Sequence, residues 1–249
     1  MTPTPSSRPV ALITGAAKRI GATIARVLHT AGYDLALHYR HSRAEMDALC
    51  IELEAARPGS TCAIQAQLDD IAQVPGLVEK CIARFGRLDA LVNNASTFYA
   101  TPVGDVTPTQ WNELFASNAQ APFFLAQAAA AHLKSSQGSI VNIVDIYAER
   151  PLPGHPVYCM AKAALATMTL ALAQELGPDV RVNAVAPGAV LWPDAGKDYV
   201  DRQDLIKRTP LKRTGTPEDV ATAVLFLLRD AKFTTGQIIK VDGGRSLAI

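Results

Sequence analysis

The chain has 249 residues, of which 49 % are hydrophobic, with a net charge of +1 and four cysteines. That length suits one α/β domain with a large core, and the charge balance argues against a nucleic-acid or membrane-surface protein. Cys50, Cys62, Cys81 and Cys159 show neither C-x-x-C nor metal-ligand spacing, and the N-terminus lacks an apolar signal core. The expectation is a soluble cytoplasmic protein with free thiols and no bound metal.

Residues 1–8 read as a disordered tail. Residues 9–14 read as a short apolar strand that feeds Thr14-Gly-Ala-Ala-Lys-Arg-Ile-Gly21. A helix follows, with Ile20, Ile24, Val27 and Leu28 on its apolar face, and Gly32 ends it. Strand, Gly-rich turn, helix is the order that sets a helix N-terminus against a phosphate. A second strand over residues 34–39 ends in His38-Tyr-Arg-His-Ser42. An acid at this point of a dinucleotide fold holds a ribose 2′-OH, whereas basic groups accept a 2′-phosphate. Here Arg40, His41 and Ser42 supply donors and no acid is present, which weighs NADP above NAD.

Helix (43–57), strand (61–66) and helix (71–85) follow, then a fourth strand (88–92) that ends in Asn93-Asn-Ala-Ser-Thr-Phe-Tyr99. One long helix is expected from about residue 108 to 133, carrying Asn118. A fifth strand (139–144) leads to Asp145, and Pro151, Pro153, Gly154 and Pro156 then rule out regular structure until a helix opens at Pro156. Tyr158 and Lys162 lie four apart on one face of it. Two unit charges ~4 Å apart near a protein surface interact by about 4 kcal/mol, so the lysine is expected to draw the tyrosine about three units below its ordinary pKa of ~10, towards the range of a working general acid. A sixth strand (180–185) ends in Ala186-Pro-Gly188, residues 189–209 read as a mobile lid, Thr216 caps a helix at Pro217, and a last strand spans 237–241. Strand–helix alternation throughout gives a single-domain, Rossmann-type, doubly wound parallel sheet of about seven strands over residues 9–249. Every motif falls at a strand's carboxyl end, where such sheets bind ligands.

Thr14-Gly15…Gly21, Asn93-Asn94-Ala95, Asn118, Tyr158-x-x-x-Lys162 and Pro187-Gly188, in this order and spacing, make the whole chain resemble a short-chain dehydrogenase/reductase. The resemblance implies hydride transfer with Tyr158 as proton donor. Lys162 would lower the tyrosine pKa and bind the nicotinamide ribose, and Asn118 would hold a water. Three departures are informative: Asp145 stands where the family usually has Ser, Arg19 where it has Gly, and Ser96 where it has Gly. With Phe98 and the basic run at 38–42, they resemble the pteridine reductase branch, in which Asp and Tyr share proton delivery and Phe stacks the pterin. Gln67 replaces an acid that usually contacts adenine.

The resemblance thus places Gly15, Lys18, Arg19, Ile20, Gly21, Tyr39, Arg40, His41, Ser42, Gln67, Leu68, Asn94, Ala95, Ser96, Tyr158, Lys162, Pro187 and Gly188 around NADPH or NADP+. Arg19, Ser96, Phe98, Asp145, Tyr158, Gly188 and Leu191 fall around a pterin or folate, and Asp145, Tyr158, Lys162 and Asn118 carry the chemistry. The family also implies a homotetramer. An apolar Phe98 equally fits core packing; a loop cap is the lesser reading of Asp145, because its segment leads straight to Tyr158. Rival functions are an NADPH-dependent carbonyl or 3-oxoacyl reductase, and a non-catalytic NADP(H) sensor.

Overall fold

The computed structural model describes residues 6–190 and 202–248. Seven parallel strands form one sheet in the order β3-β2-β1-β4-β5-β6-β7. They are β1 (Val10–Ile13), β2 (Asp34–Tyr39), β3 (Thr61–Gln65), β4 (Ala90–Asn93), β5 (Ser139–Ile143), β6 (Arg181–Pro187) and β7 (Ile238–Val241). The helices are α1 (Arg19–Thr30), α2 (Arg43–Ala56), α3 (Val74–Phe85), α4 (Pro108–Phe115), α5 (Ala121–Ser136), α6 (Pro156–Leu176), α7 (Arg202–Arg208) and α8 (Pro217–Leu225).

Side chains alternate across the pleat, and the sequence of each inner strand is apolar at both parities. Ala11, Ile13, Leu35, Leu37, Ala90 and Val92 join one buried cluster with residues of α1, α2 and α8. Val10, Leu12, Ala36 and Leu91 join the other with α3 and α5. The strand order reverses between β1 and β4, so the crevice for a ligand opens at their carboxyl ends.

Two expectations need correction, and a third falls largely outside the described residues. Residues 6–8 are not a loose tail: the Ser6 N–H donates to Phe85 C=O at 2.7 Å and its hydroxyl to Asp34 at 2.7 Å, tying the chain to the rim of the sheet. The single helix over 108–133 is two helices joined by a π-turn, Ala116–Gln120. Pro122, in the first turn of α5, has no N–H for the carbonyl one turn back, and the wider turn absorbs that lost bond. The 189–209 segment contains α7 and a buried Thr209, whereas its residues 191–201, Leu191 among them, lie outside the described residues.

α6 is long and apolar enough to span a membrane, with a mean hydropathy of 1.4, but half of its apolar window is buried inside the protein. It is a core helix. Met160 and Leu170 on its outer side remain 44 % and 47 % exposed, and Phe123 of α5 remains 42 % exposed.

Candidate active site

The Gly-rich turn is held from both sides. Thr14 Oγ1 accepts the N–H of Asn94 at 2.9 Å and of Ala95 at 3.0 Å, while Asn94 Nδ2 donates to Thr14 C=O at 2.8 Å and Gly15 C=O at 3.0 Å. Gly15 sits at φ +63°, and a Cβ there would lie 2.9 Å from Ala95 Cα. The close approach of the two turns therefore requires glycine. Arg19 adopts φ +53°. That left-handed backbone explains why glycine suits the position, and an arginine there holds strain of about 1–3 kcal/mol of the kind retained at functional sites. α1 starts at this residue with no side-chain cap on its first N–H groups, which leaves a helix N-terminus for an anion. Lys18 pairs with Glu45 at 2.6 Å beside it.

At the end of β2, Arg40 Nε donates to Gln67 at 3.0 Å, and its guanidinium lies 3.8 Å from Asp69. Gln67 thus acts through Arg40 and does not line the cleft, whereas Leu68 and Asp69 do. Ser42 precedes α2 without using its hydroxyl as a cap. Tyr39, Arg40, His41 and Ser42 all line the same end.

The other end is built on β5 and α6. The proline-rich loop delivers Pro156 into the first turn of α6. Tyr158 then donates its phenolic O–H to Asp145 Oδ2 at 2.8 Å, and the Tyr147 N–H donates to Asp145 Oδ1 at 2.9 Å. Asp145 therefore caps the short turn Ile146–Ala148 and also holds the phenol. Lys162, 2 % exposed, donates to Ile143 C=O at 2.8 Å, with Nζ 5.8 Å from the Tyr158 ring centre.

These positions reverse one expectation. Burial and the adjacent Asp145 carboxylate hold the Tyr158 pKa well above its ordinary value; the Ser96 hydroxyl pulls the other way. Burial raises Asp145 as well, against the Tyr147 N–H, the Tyr158 O–H and Lys162. Burial lowers Lys162 to about 8, partly offset by Asp145. The ammonium does not acidify the phenol here, because its hydrogen bond goes to a backbone carbonyl while the carboxylate bonds the phenol directly. Both pKa values are thus shifted upward, and the phenol keeps its proton directed at the Asp145 carboxylate.

Ser96 and Phe98 line the cleft between the two ends. Ser96 Oγ donates to Asn118 Oδ1 at 2.7 Å, and Asn118 Nδ2 donates to Thr97 C=O and Leu114 C=O, each at 2.9 Å. Asn118 is fully buried and lies behind the wall. With both amide hydrogens committed to the protein, its visible work is to fix the Ser96–Thr97 loop. Phe98 is part wall and part packing: His155 stacks on it at 4.8 Å, and Tyr158 meets it edge-on at 4.7 Å. Pro187 and Gly188 close the far side, and a Cβ on Gly188 would lie 2.7 Å from Asp242.

All of this borders one cleft of about 740 Å³, within the range of small-molecule and cofactor sites. An uncapped helix N-terminus, a close glycine turn and a basic fork at the β2 end fit a phosphate-bearing dinucleotide. His38, Asp69, Glu113, Tyr147, Val190 and Leu205 also line the cleft. Glu113 reaches it from α4 and Leu205 from α7, and the others from strand ends and loops, so apart from His38 in the run at 38–42 spacing in the sequence does not mark them. Among the described residues no cluster of His, Cys, Asp or Glu could hold a metal ion.

Residues 15–246 match the family model described as enoyl-(acyl carrier protein) reductase. Pteridine reductase 1 of Leishmania tarentolae is 40 % identical, with 99 % of each chain covered. A putative ketoacyl reductase of granaticin polyketide synthesis from Streptomyces violaceoruber is 38 % identical, with 96 % of each covered. The 3-oxoacyl-(acyl-carrier-protein) reductase FabG of Staphylococcus aureus is 34 % identical over 94 % of this chain and 96 % of its own. The chain belongs to the short-chain dehydrogenase/reductase family, on its pteridine reductase branch. It is an oxidoreductase, and membership implies a nicotinamide cofactor.

Proposed function

We propose that residues 9–249 form one NADPH-dependent reductase domain that converts dihydropterins to tetrahydropterins. The observation that carries this is the 2.8 Å contact between Tyr158 and Asp145. A carbonyl substrate wants a neutral hydroxyl beside its oxygen, and a carboxylate there opposes the alkoxide that develops. A pterin instead offers ring N–H donors to a carboxylate and an imine nitrogen to a proton donor. When bound, the cofactor supplies the hydride. Arg40, His41 and Ser42 would hold its 2′-phosphate, the α1 N-terminus with Lys18 and Arg19 its pyrophosphate, and Lys162 its ribose. Tyr158 would give its proton to the imine nitrogen of the pterin. Asp145 would orient the phenol, and a proton from solvent would restore the Tyr158 hydroxyl. Phe98 lies along the flat ring.

Similarity to ketoacyl and 3-oxoacyl reductases supports a second reading, reduction of a 3-oxoacyl thioester on the same residues. The deciding experiment follows NADPH absorbance with a dihydropterin, with an acetoacetyl thioester and with neither. Turnover of the dihydropterin and not the thioester supports the first reading; the converse replaces it. The outward apolar faces of α5 and α6 support pairing with further copies of this chain into a tetramer. The four free cysteines fit a reducing, cytoplasmic setting.

A further inference from the structure

His38 lies at the carboxyl end of β2, 2 % exposed, on the floor of the cleft. Its Nδ1 accepts the Gly15 N–H at 3.1 Å, and its Nε2 lies 3.2 Å from Ala66 C=O. An amide N–H only donates and a carbonyl only accepts, so these partners fix the tautomer with hydrogen on Nε2. Burial agrees with a neutral ring, lowering its pKa to about 4. A protonated ring would set an N–H against the Gly15 N–H.

The two partners belong to different elements. Gly15 opens the turn after β1, and Ala66 follows β3 and precedes Gln67 and Leu68. One ring therefore ties three strand ends beneath the cleft. The peptide groups on both sides of Gly15 are committed: the C=O to Asn94 at 3.0 Å and the N–H to His38. With its N–H turned inward at φ +63°, the turn leaves the amides at the start of α1 for an anion.

We propose that His38 is a positioning residue for the dinucleotide: by accepting the Gly15 N–H it sets the left-handed turn that presents the α1 N-terminus to the cofactor's phosphates. The proposal rests on the cofactor reading above. Three variants separate the two ring nitrogens. His38→Asn keeps an acceptor at the δ position facing Gly15. His38→Gln keeps a donor towards Ala66 but puts a methylene where Nδ1 was. His38→Leu removes both.

NADPH affinity is measured by fluorescence titration, with steady-state kinetics and a thermal melt on each variant. His38→Gln and His38→Leu should bind NADPH about tenfold or more weakly, and His38→Asn within about threefold of wild type. The KM for NADPH should rise in the first two, while kcat at saturating NADPH and the KM for dihydropterin hold. Equal NADPH affinity in His38→Asn and His38→Gln, whether retained or lost, overturns the proposal. If His38→Leu does not fold, the Asn–Gln comparison decides alone. A wild-type protein that binds no NADPH overturns the cofactor reading and this proposal together. A wild-type protein that binds NADPH but reduces no pterin overturns the substrate reading only, and the variant affinities still decide the role of His38.

Discussion

Replacing Asp145 by serine separates a proton relay from a loop cap. The structure gives Asp145 two bonds, one to the Tyr147 N–H at 2.9 Å and one from the Tyr158 O–H at 2.8 Å. A serine hydroxyl can retain the first, since small hydroxylic side chains cap such turns. It cannot supply the charge-assisted bond to the phenol, worth about 1.5–3 kcal/mol or roughly 10–100-fold in rate if it acts only in the transition state. Loss of a positioned proton carrier adds to this, so dihydropterin kcat/KM should fall by ~10²–10⁴. NADPH affinity should hold, because Arg40, the α1 N-terminus and Lys162 are untouched. The carboxylate also raises the Tyr158 pKa, so its removal should shift the limb of the pH–rate profile due to Tyr158 to lower pH. The assay is NADPH oxidation by stopped flow from pH 5 to 10, with NADPH fluorescence titration in parallel. Full pterin activity with an unshifted profile would refute the relay and leave Asp145 as a cap.

Arg40→Asp should reduce the preference for NADPH over NADH by roughly 10–100-fold, the worth of one charge-assisted bond; an unchanged ratio of kcat/KM values removes Arg40 from the 2′-phosphate site. Tyr158→Phe should bind NADPH normally and lose ~10²–10⁴ in turnover, read by combining titration with steady-state rates; near-normal turnover would sink the proton-donor role. Burial lowers Lys162 to about 8, so its ammonium is complete below that pH and lost above it. The affinity of wild-type protein for NADPH should therefore fall about tenfold from pH 7 to pH 9, and Lys162→Met should bind weakly with no such slope. Light scattering at micromolar concentration should give a mass of four chains, and a monomer would leave the exposed Phe123, Met160 and Leu170 without the proposed cover.

The fold was legible because its signals are local. Apolar runs marked the strands, Thr216 and Pro217 marked the start of α8, where the structure has a full capping box, and Gly32 marked the end of α1, at φ +96°. Arg19 was legible as a departure, and its positive φ explains why glycine would suit that position. The long helix was misread at Pro122, since a lost N–H reads as a tolerable break and the π-turn that answers it has no composition of its own. Asp69 and the structural role of His38 within the run at 38–42 went unmarked for a related reason. Their partners, Arg40 for Asp69 and Gly15 with Ala66 for His38, come from different strands, and only the parallel pairing of β1, β2 and β3 brings them together.

The electrostatics of Tyr158 show the limit most clearly. Spacing of four on a helix places Lys162 on the same face as Tyr158, and the sequence offers no nearer charge on that helix. Asp145 is thirteen residues away, beyond three prolines and a glycine. Folding inverts the order of influence. The proline-rich loop returns α6 against the end of β5, which seats the phenol 2.8 Å from the carboxylate and leaves the ammonium 5.8 Å from the ring centre, bonded to Ile143 C=O. In a dry pocket a direct hydrogen bond to a charge outweighs a more distant charge of opposite sign that is itself bonded elsewhere. Serine at position 145 would remove the nearer charge and leave Lys162 as the main electrostatic influence on the phenol. The one-residue departure at Asp145 therefore changes which neighbour governs the proton donor, and with it the substrates that the site can protonate.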